Sequence, residues 1–224
     1  MTEHLLAIET SGDLCSVALA QGNQTLSAEA PGPRAHARSL LPLIKELLVT
    51  AGLRIPDLDA IAFGRGPGSF TGVRLAAAVA QGLALGAERP VLPVSTLAAL
   101  AHAASHPRVA VAVDARMDQV YWGAFAQEAR GWEVASAECV ADPEAVVLPP
   151  GEWWGVGSGF ERYWHRFPET VRARVHPEPT VGPPHARHIL GLARILFREG
   201  AAVAPEHALP VYLRDQVAKK SDVV

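Results

Sequence analysis

Two acids stand at the ends of apolar runs, each followed by a short turn: Glu9 in "LLAIETSGD" and Asp114 in "VAVAVDARMDQ". A carboxylate at a strand end, beside the N–H groups of a tight turn, can hold a divalent cation and the phosphates that it carries. Thr10 and Ser11 add hydroxyls to the first turn. Between the acids lies "GRGPGSFTGVR", Gly64 to Arg74, which leads into an alanine-rich segment. A Walker-type phosphate loop closes on Gly-Lys-Ser/Thr, and no lysine occurs between Lys45 and Lys219. The dinucleotide pattern GxGxxG fails as well, because Ser69 occupies the third glycine position. What is left is an anion site built from backbone N–H groups of Gly66 to Thr71 at a helix N-terminus. The residues for a phosphate or nucleotide contact are then Thr10, Ser11, Gly66, Gly68 and Ser69. On turn chemistry alone a plainer reading is the stronger: the glycines supply backbone angles and close packing. The second turn, "ARMDQ", has no glycine, which counts against a phosphate role there.

Other chemistry is sparse. His185 and His188 lie three apart in a helical pattern, but zinc needs at least a third ligand, and no HExxH occurs. They read as a solvated helix face, with no metal site. No G-x-S-x-G elbow is present, since "GPGSF" lacks the closing glycine. Cys15 and Cys139 are in no metal-type spacing and read as small core residues in a reducing compartment. A net charge of -3 argues against a chain that grips nucleic acid by itself. With 49% hydrophobic and 19% charged residues, a substantial core can form. The N-terminal residues show no basic leader, and no run reaches the roughly 18 apolar residues of a membrane span. The expectation is a cytoplasmic protein without a membrane partner.

The elements that must position these residues follow from periodicity. "HLLAIET", "CSVALAQ" and "TLSAEA" predict three antiparallel strands. "HARSLLPLIKELLVTAG" predicts a helix with Leu40, Ile44, Leu47 and Leu48 on one face and Gly52 as its stop. Pro42 either kinks that helix or lies near its start. "LDAIAFG" is a strand running into the glycine-rich turn. The helix after it is small on several faces, with Gly72, Ala76, Ala80 and Ala84 in one stripe that suits a close helix contact. A strand "PVLPVS" and a helix from Ser95 or Thr96 complete the half. The pattern then restarts at Arg108, with a further helix predicted at Asp142-Pro143 and a long one ending at Gly200. The tail "KKSDVV" reads as a polar end. The two acids are 105 residues apart, close to half of the 224-residue chain. The fold class is therefore α/β, with two related βββαβαβα lobes at 1–106 and 107–224.

The segments "IETSGDLCSVAL", "GRGPGSFTGVRLAAAVAQGLALG", "PVSTLAAL", "DARMDQVYWGAF" and "PVYLRD" together resemble the TsaB (YeaZ) family of bacterial tRNA threonylcarbamoyladenosine biosynthesis subunits. The resemblance spans nearly the whole chain. It implies a two-lobed actin-like/Hsp70-like ATPase (ASKHA) fold and a non-catalytic subunit that activates a TsaD transferase, which modifies the adenosine 3′ of the tRNA anticodon. It further implies a TsaE ATPase in the ternary complex, a homodimer when the chain is alone, and only indirect contact with tRNA. No cofactor is expected on the chain itself, with ATP or ADP held within the complex. The first two helices of the family form the TsaD interface, which carries over to His36, Leu40, Leu41, Ile44, Arg74, Ala76, Ala77, Ala80, Leu83 and Ala84. TsaD-type relatives carry V-N-H-L-E-G-H with two metal-binding histidines; the matching "VSTLAAL" puts Thr96 and Leu100 there, neither able to replace an imidazole. Glu9 departs from the usual aspartate by one methylene. The alternatives are a sugar-kinase-like ATPase of the same fold class and a metallopeptidase relative.

Overall fold

The computed structural model describes residues 3–32, 36–128 and 131–214; the tail "KKSDVV" lies outside them. Strands form where apolar residues alternate or run together. β1 (His4–Glu9), β2 (Leu14–Gln21) and β3 (Gln24–Pro31) make an antiparallel meander. α1 (His36–Ala51) contains Pro42 and is followed by Gly52 in the left-handed region, φ 67°. β4 (Ala60–Gly66), α2 (Phe70–Ala87), β5 (Val91–Ser95) and α3 (Thr96–Ala103) complete the first βββαβαβα unit. The second unit runs through β6 (Arg108–Asp114), β7 (Val120–Glu128), β8 (Gly131–Ala141), β9 (Trp153–Val156), α4 (Ser158–Tyr163), α5 (Glu169–Arg172), β10 (Val175–Pro177) and α6 (Ala186–Arg198). The strand orders are β3-β2-β1-β4-β5 and β8-β7-β6-β9-β10, one order laid out twice.

The second copy departs from the plan at Asp142. In place of a helix there is a single turn, Pro143–Ala145, and the Asp142 side chain makes no cap. The residues that follow explain it: Val146 and Val147 are β-branched, and Pro149 and Pro150 lack the N–H that a helix needs.

The helices interlock the two sheets. One face of the first sheet (Leu6, Ile8, Ile61, Phe63) is covered by α1 and α2. Its other face (Leu5, Ala7, Ala60, Ala62) is covered by α6, through Ala186, Ile189, Leu190 and Ala193. Conversely α3, from the first half of the chain, puts Leu97, Leu100 and Ala101 on Val109, Val111, Phe125 and Val156 of the second sheet. Each unit's last helix thus packs on the other unit's sheet. The far face of the second sheet buries Trp122, Trp153, Phe160 and Phe167. By length and composition α2 is apolar enough to cross a membrane, contrary to the sequence expectation, but it lies with one face on the first sheet.

Candidate functional site: an interlobe cleft and an open helical face

The first turn is stapled to the glycine-rich turn rather than opened toward a ligand. Glu9 ends β1 with no exposed surface. Its Oε1 accepts from the Ser11 N–H at 2.5 Å, and its Oε2 accepts from the Thr96 hydroxyl at 3.1 Å. The side chain lies across Gly64, where a Cβ would overlap the carboxylate. Burial pushes the Glu9 carboxyl above its usual range, opposed by the hydrogen bonds from Ser11 and Thr96. Thr10 donates to the Gly72 carbonyl at 2.7 Å, and the Ser69 N–H donates to the Ser11 carbonyl at 2.8 Å. A Cβ at Gly72 would collide with the Thr10 carbonyl, and one at Gly68 with Ser11. Gly66 sits at φ 97°. Ser69 caps α2, accepting from the Gly72 N–H at 3.4 Å. The glycines of "GRGPGSFTG" are thus explained first by close approach and backbone angle.

A cavity of about 580 Å³ opens between the two turns. Of the five expected phosphate contacts, Ser11, Gly68 and Ser69 line it, while Thr10 and Gly66 do not. Ser11 is buried, and its Oγ has no hydrogen-bond partner. Asp114 also lines the cavity. Its Oδ1 accepts from the Arg116 N–H at 2.9 Å and the Tyr163 hydroxyl at 3.0 Å, and its Oδ2 pairs with Arg162 at 3.3 Å. Arg116 reaches across to Asp13 at 3.8 Å. With no glycine available, Arg116, Met117 and Asp118 themselves adopt φ values of 60°, 53° and 59°.

The histidines differ from their expectation. His185 caps α6, its Nδ1 accepting from the Arg187 N–H at 3.0 Å, while Nε2 meets Glu29 at 2.8 Å. His188 is buried, and burial pushes its imidazole down to about 4. They are packed residues, not a solvated face. Among the described residues no three His, Cys, Asp or Glu side chains gather as a metal site. Cys15 is buried as expected, whereas Cys139 is exposed. Thr96 and Leu100 both lie in the core of α3.

The interface set needs correction. Ala76, Ala80 and Ala84 are 0% exposed and Ala77 is buried with them, all facing the first sheet. On α1, His36, Leu40 and Ile44 are buried too. Of the expected residues, Leu41 is 54% exposed, Arg74 is exposed and Leu83 is half-buried. The phase of α2 is hidden in sequence because alanine and glycine occur all round it, so small residues mark both the sheet contact and the open side. The open side carries Phe70, Arg74, Ala78, Gly82, Leu85 and Gly86, with empty space above both glycines. Beyond the ten residues named for the interface, Phe70, which the expected segments 36–50 and 73–85 leave out, and Leu85 and Val49, which lie within them, are large apolar residues left in water. The leucine pattern of α1 sets Val49 off the buried phase of that helix, whereas the small residues all round α2 give no such guide for Phe70 and Leu85. The Arg74 guanidinium lies 3.5 Å over the Phe70 ring, and its Nε donates to the Tyr212 hydroxyl at 2.6 Å.

Comparison with known proteins places this geometry. The family described as "TsaD: tRNA N6-adenosine threonylcarbamoyltransferase" matches residues 30–221. The Escherichia coli protein named tRNA threonylcarbamoyladenosine biosynthesis protein TsaB is 41% identical, over 96% of each chain. The solved structure of YeaZ from Pseudomonas aeruginosa superposes with a TM-score of 0.86 at 45% identity, covering 94% of this chain and 100% of that one. A second structure, described as an uncharacterized protein with similarity to peptidase YEAZ from the same organism, also gives 0.86, at 44% identity. The paired sheets are those of the two-lobed actin-like/Hsp70-like architecture, and the chain belongs to the TsaB (YeaZ) family.

Proposed function

We propose that this chain is a non-catalytic, activating subunit of tRNA threonylcarbamoyladenosine synthesis, acting in the cytoplasm by binding a TsaD transferase subunit. The observation that carries the proposal is the outward side of α1 and α2. Leu41, Val49, Phe70 and Leu85 are four of the nine large hydrophobic residues left exposed among the described residues. Gly82 and Gly86 between them leave room for a close helix contact. Apolar patches of this kind mark protein interfaces. In the absence of TsaD the same face pairs two copies of the chain, and TsaE completes the working complex, with tRNA held by the other subunits. Thr96 and Leu100, at the positions of the transferase's metal-binding histidines, support a role without chemistry on this chain, since both are buried and neither is an adequate ligand.

The residues present do not fit a Mg²⁺–nucleotide held by this chain alone. Glu9 is sealed under Thr96 and Gly64, and Asp114 is engaged by Arg116, Arg162 and Tyr163. The unpartnered Ser11 hydroxyl in the cleft supports a narrower reading: ATP or ADP bound within the complex touches this chain at Ser11, Gly68 and Ser69.

The test is reconstitution with TsaD, TsaE and threonylcarbamoyl-adenylate, with and without the chain. Equal modification in both mixtures refutes an activating role. Leu85→Arg, at an exposed position, should shift stability by no more than about 0.5 kcal/mol while weakening TsaD binding at least about tenfold. Unchanged binding moves the interface off α2.

A further inference from the structure

The described chain continues past its last buried residue. After α6 it returns to the first sheet, where Val203 pairs with Val91 and Ala208 is the last fully buried residue before the end of the described chain. Leu209 to Arg214 then run in no regular structure across the mouth of the interlobe cleft, with Val211 to Arg214 forming part of its lining. One end is fastened to the first unit. The Val211 N–H donates to the Arg65 carbonyl at 2.8 Å, and Tyr212 accepts from Arg74 while lying 5.5 Å from the Phe70 ring. The other end is fastened to the second unit. Arg214 Nη2 donates to Gln119 Oε1 at 2.8 Å, and Nη1 lies 3.5 Å from the Met117 sulfur. The segment therefore ties the open side of α2 to the left-handed turn that forms the opposite wall of the cleft.

We infer that Leu209–Arg214 is a strap that couples the partner face of α2 to the interlobe cleft. The inference rests on the docking face proposed above. Arg74 is the shared element. Its bond to Tyr212 goes to a neutral hydroxyl, and a carboxylate from a docking partner makes a stronger, charge-assisted bond with the same guanidinium. Phe70 is half exposed and becomes covered in the same event. Docking thus withdraws the two groups that hold Tyr212, frees the strap, and releases Arg214 from the Met117–Gln119 turn. Coupling of this kind is reciprocal. An anion in the cleft that draws Arg214 away from Gln119 loosens Tyr212 and makes Arg74 easier to take.

Amide hydrogen exchange on the full chain tests the strap without any partner. Tyr212→Phe keeps the ring beside Phe70 and removes only the hydroxyl. It should speed exchange at the Val211 amide about tenfold and also speed it at the Gln119 amide across the cleft. Arg214→Gln should do the same from the other end. Faster exchange at Val211 with an unchanged Gln119 in both variants overturns the coupling. A second arm adds TsaD, for which Tyr212→Phe should bind more tightly than the native chain. If TsaD protects α2 while Val211 to Arg214 keep their free-chain exchange, the docking face stands and the strap fails. If TsaD binds but leaves α1 and α2 unprotected, the docking face fails, and paired exchange in the two variants still upholds the strap.

Discussion

The two strand-end acids hold matching positions in the repeated unit and sit in opposite environments. Glu9 is fully buried, holds hydrogen-bond donors from Ser11 and Thr96, and has no cation within salt-bridge reach among the described residues. Asp114 lines the cleft and is surrounded by Arg116, Arg162 and Tyr163. The first turn gets its shape from glycines on the facing segment, which let backbones touch. The second gets its shape from three non-glycine residues forced to positive φ and held by charge. Carboxylates at matching strand ends of one fold are thus satisfied by two physical routes, one sealed in the core under hydrogen-bond donors and one paired with arginine.

The largest effect expected from probing this difference is at Gly72. A methyl group there meets the Thr10 carbonyl, which is backbone and cannot turn aside. Gly72→Ala should cost about 3 kcal/mol or more, as overpacking against fixed backbone does. Chemical denaturation measures it. A loss under 1 kcal/mol would mean that α2 slides freely along the first turn, and the stapled picture of that turn would be wrong.

Glu9 comes next, and its signature is in pH. Its folded carboxyl holds a proton to higher pH than the unfolded chain does, where such a group titrates near about 4.3. The contribution to stability is therefore full below that value and is lost as pH rises through the raised folded value. Glu9→Gln is isosteric, keeps the acceptor for Ser11 and can donate to the Thr96 hydroxyl. The variant should gain on the native chain as pH rises from 4 to 8 in a denaturation series. A difference independent of pH would show that Glu9 titrates alike in the folded and unfolded chain, and so is not sealed in the way its burial implies.

How much of this was legible beforehand depends on range. The strands, both turns and the repeat could be read because apolar alternation is local and an acid marks each strand end. Leu40, Ile44 and Leu47 could be read as one face of α1 for the same reason, but not as its interior side, since Leu40 and Ile44 were expected at the partner face and are buried. The helix expected at Asp142 failed because Val146 to Pro150 override a good start. The phase of α2 could not be read, since Ala76 and Ala78 differ only in what faces them. Nor could the exchange of α3 and α6 between sheets, a matter of long-range packing in which both helices are apolar enough for either sheet. The left-handed run at Arg116 to Asp118 gives no local sign, because glycine, the usual mark, is absent.

A smaller effect belongs to Asp114. Asp114→Ala leaves the Tyr163 hydroxyl and the Arg116 N–H without an acceptor and sets Arg162 free, while Arg116 keeps Asp13. Tyr163 is buried, Arg116 and Arg162 are largely in water, so the loss should be about 1–2 kcal/mol. It should shrink in high salt, whereas the Gly72→Ala loss, which is steric, should not. Equal salt dependence of the two would erase the contrast between a packed turn and a charged one.

The smallest effect runs in the opposite direction. Met117 is the middle of the three positive-φ residues, 60% exposed, and among the described residues its side chain meets only Arg214 by hydrogen bonding. Glycine adopts that backbone region without the Cβ clash that costs other residues about 1–2 kcal/mol. Part of that gain is offset by the greater freedom of glycine in the unfolded chain. Met117→Gly should therefore stabilise the chain by about 0.5 kcal/mol, read from the midpoint of thermal or urea unfolding. The first turn offers no such gain, because none of its residues from Thr10 to Asp13 stands at positive φ. A destabilised Met117→Gly would mean that the thioether contact to Arg214 outweighs the backbone strain, so that the second turn is held by the strap more than by its own ion pairs.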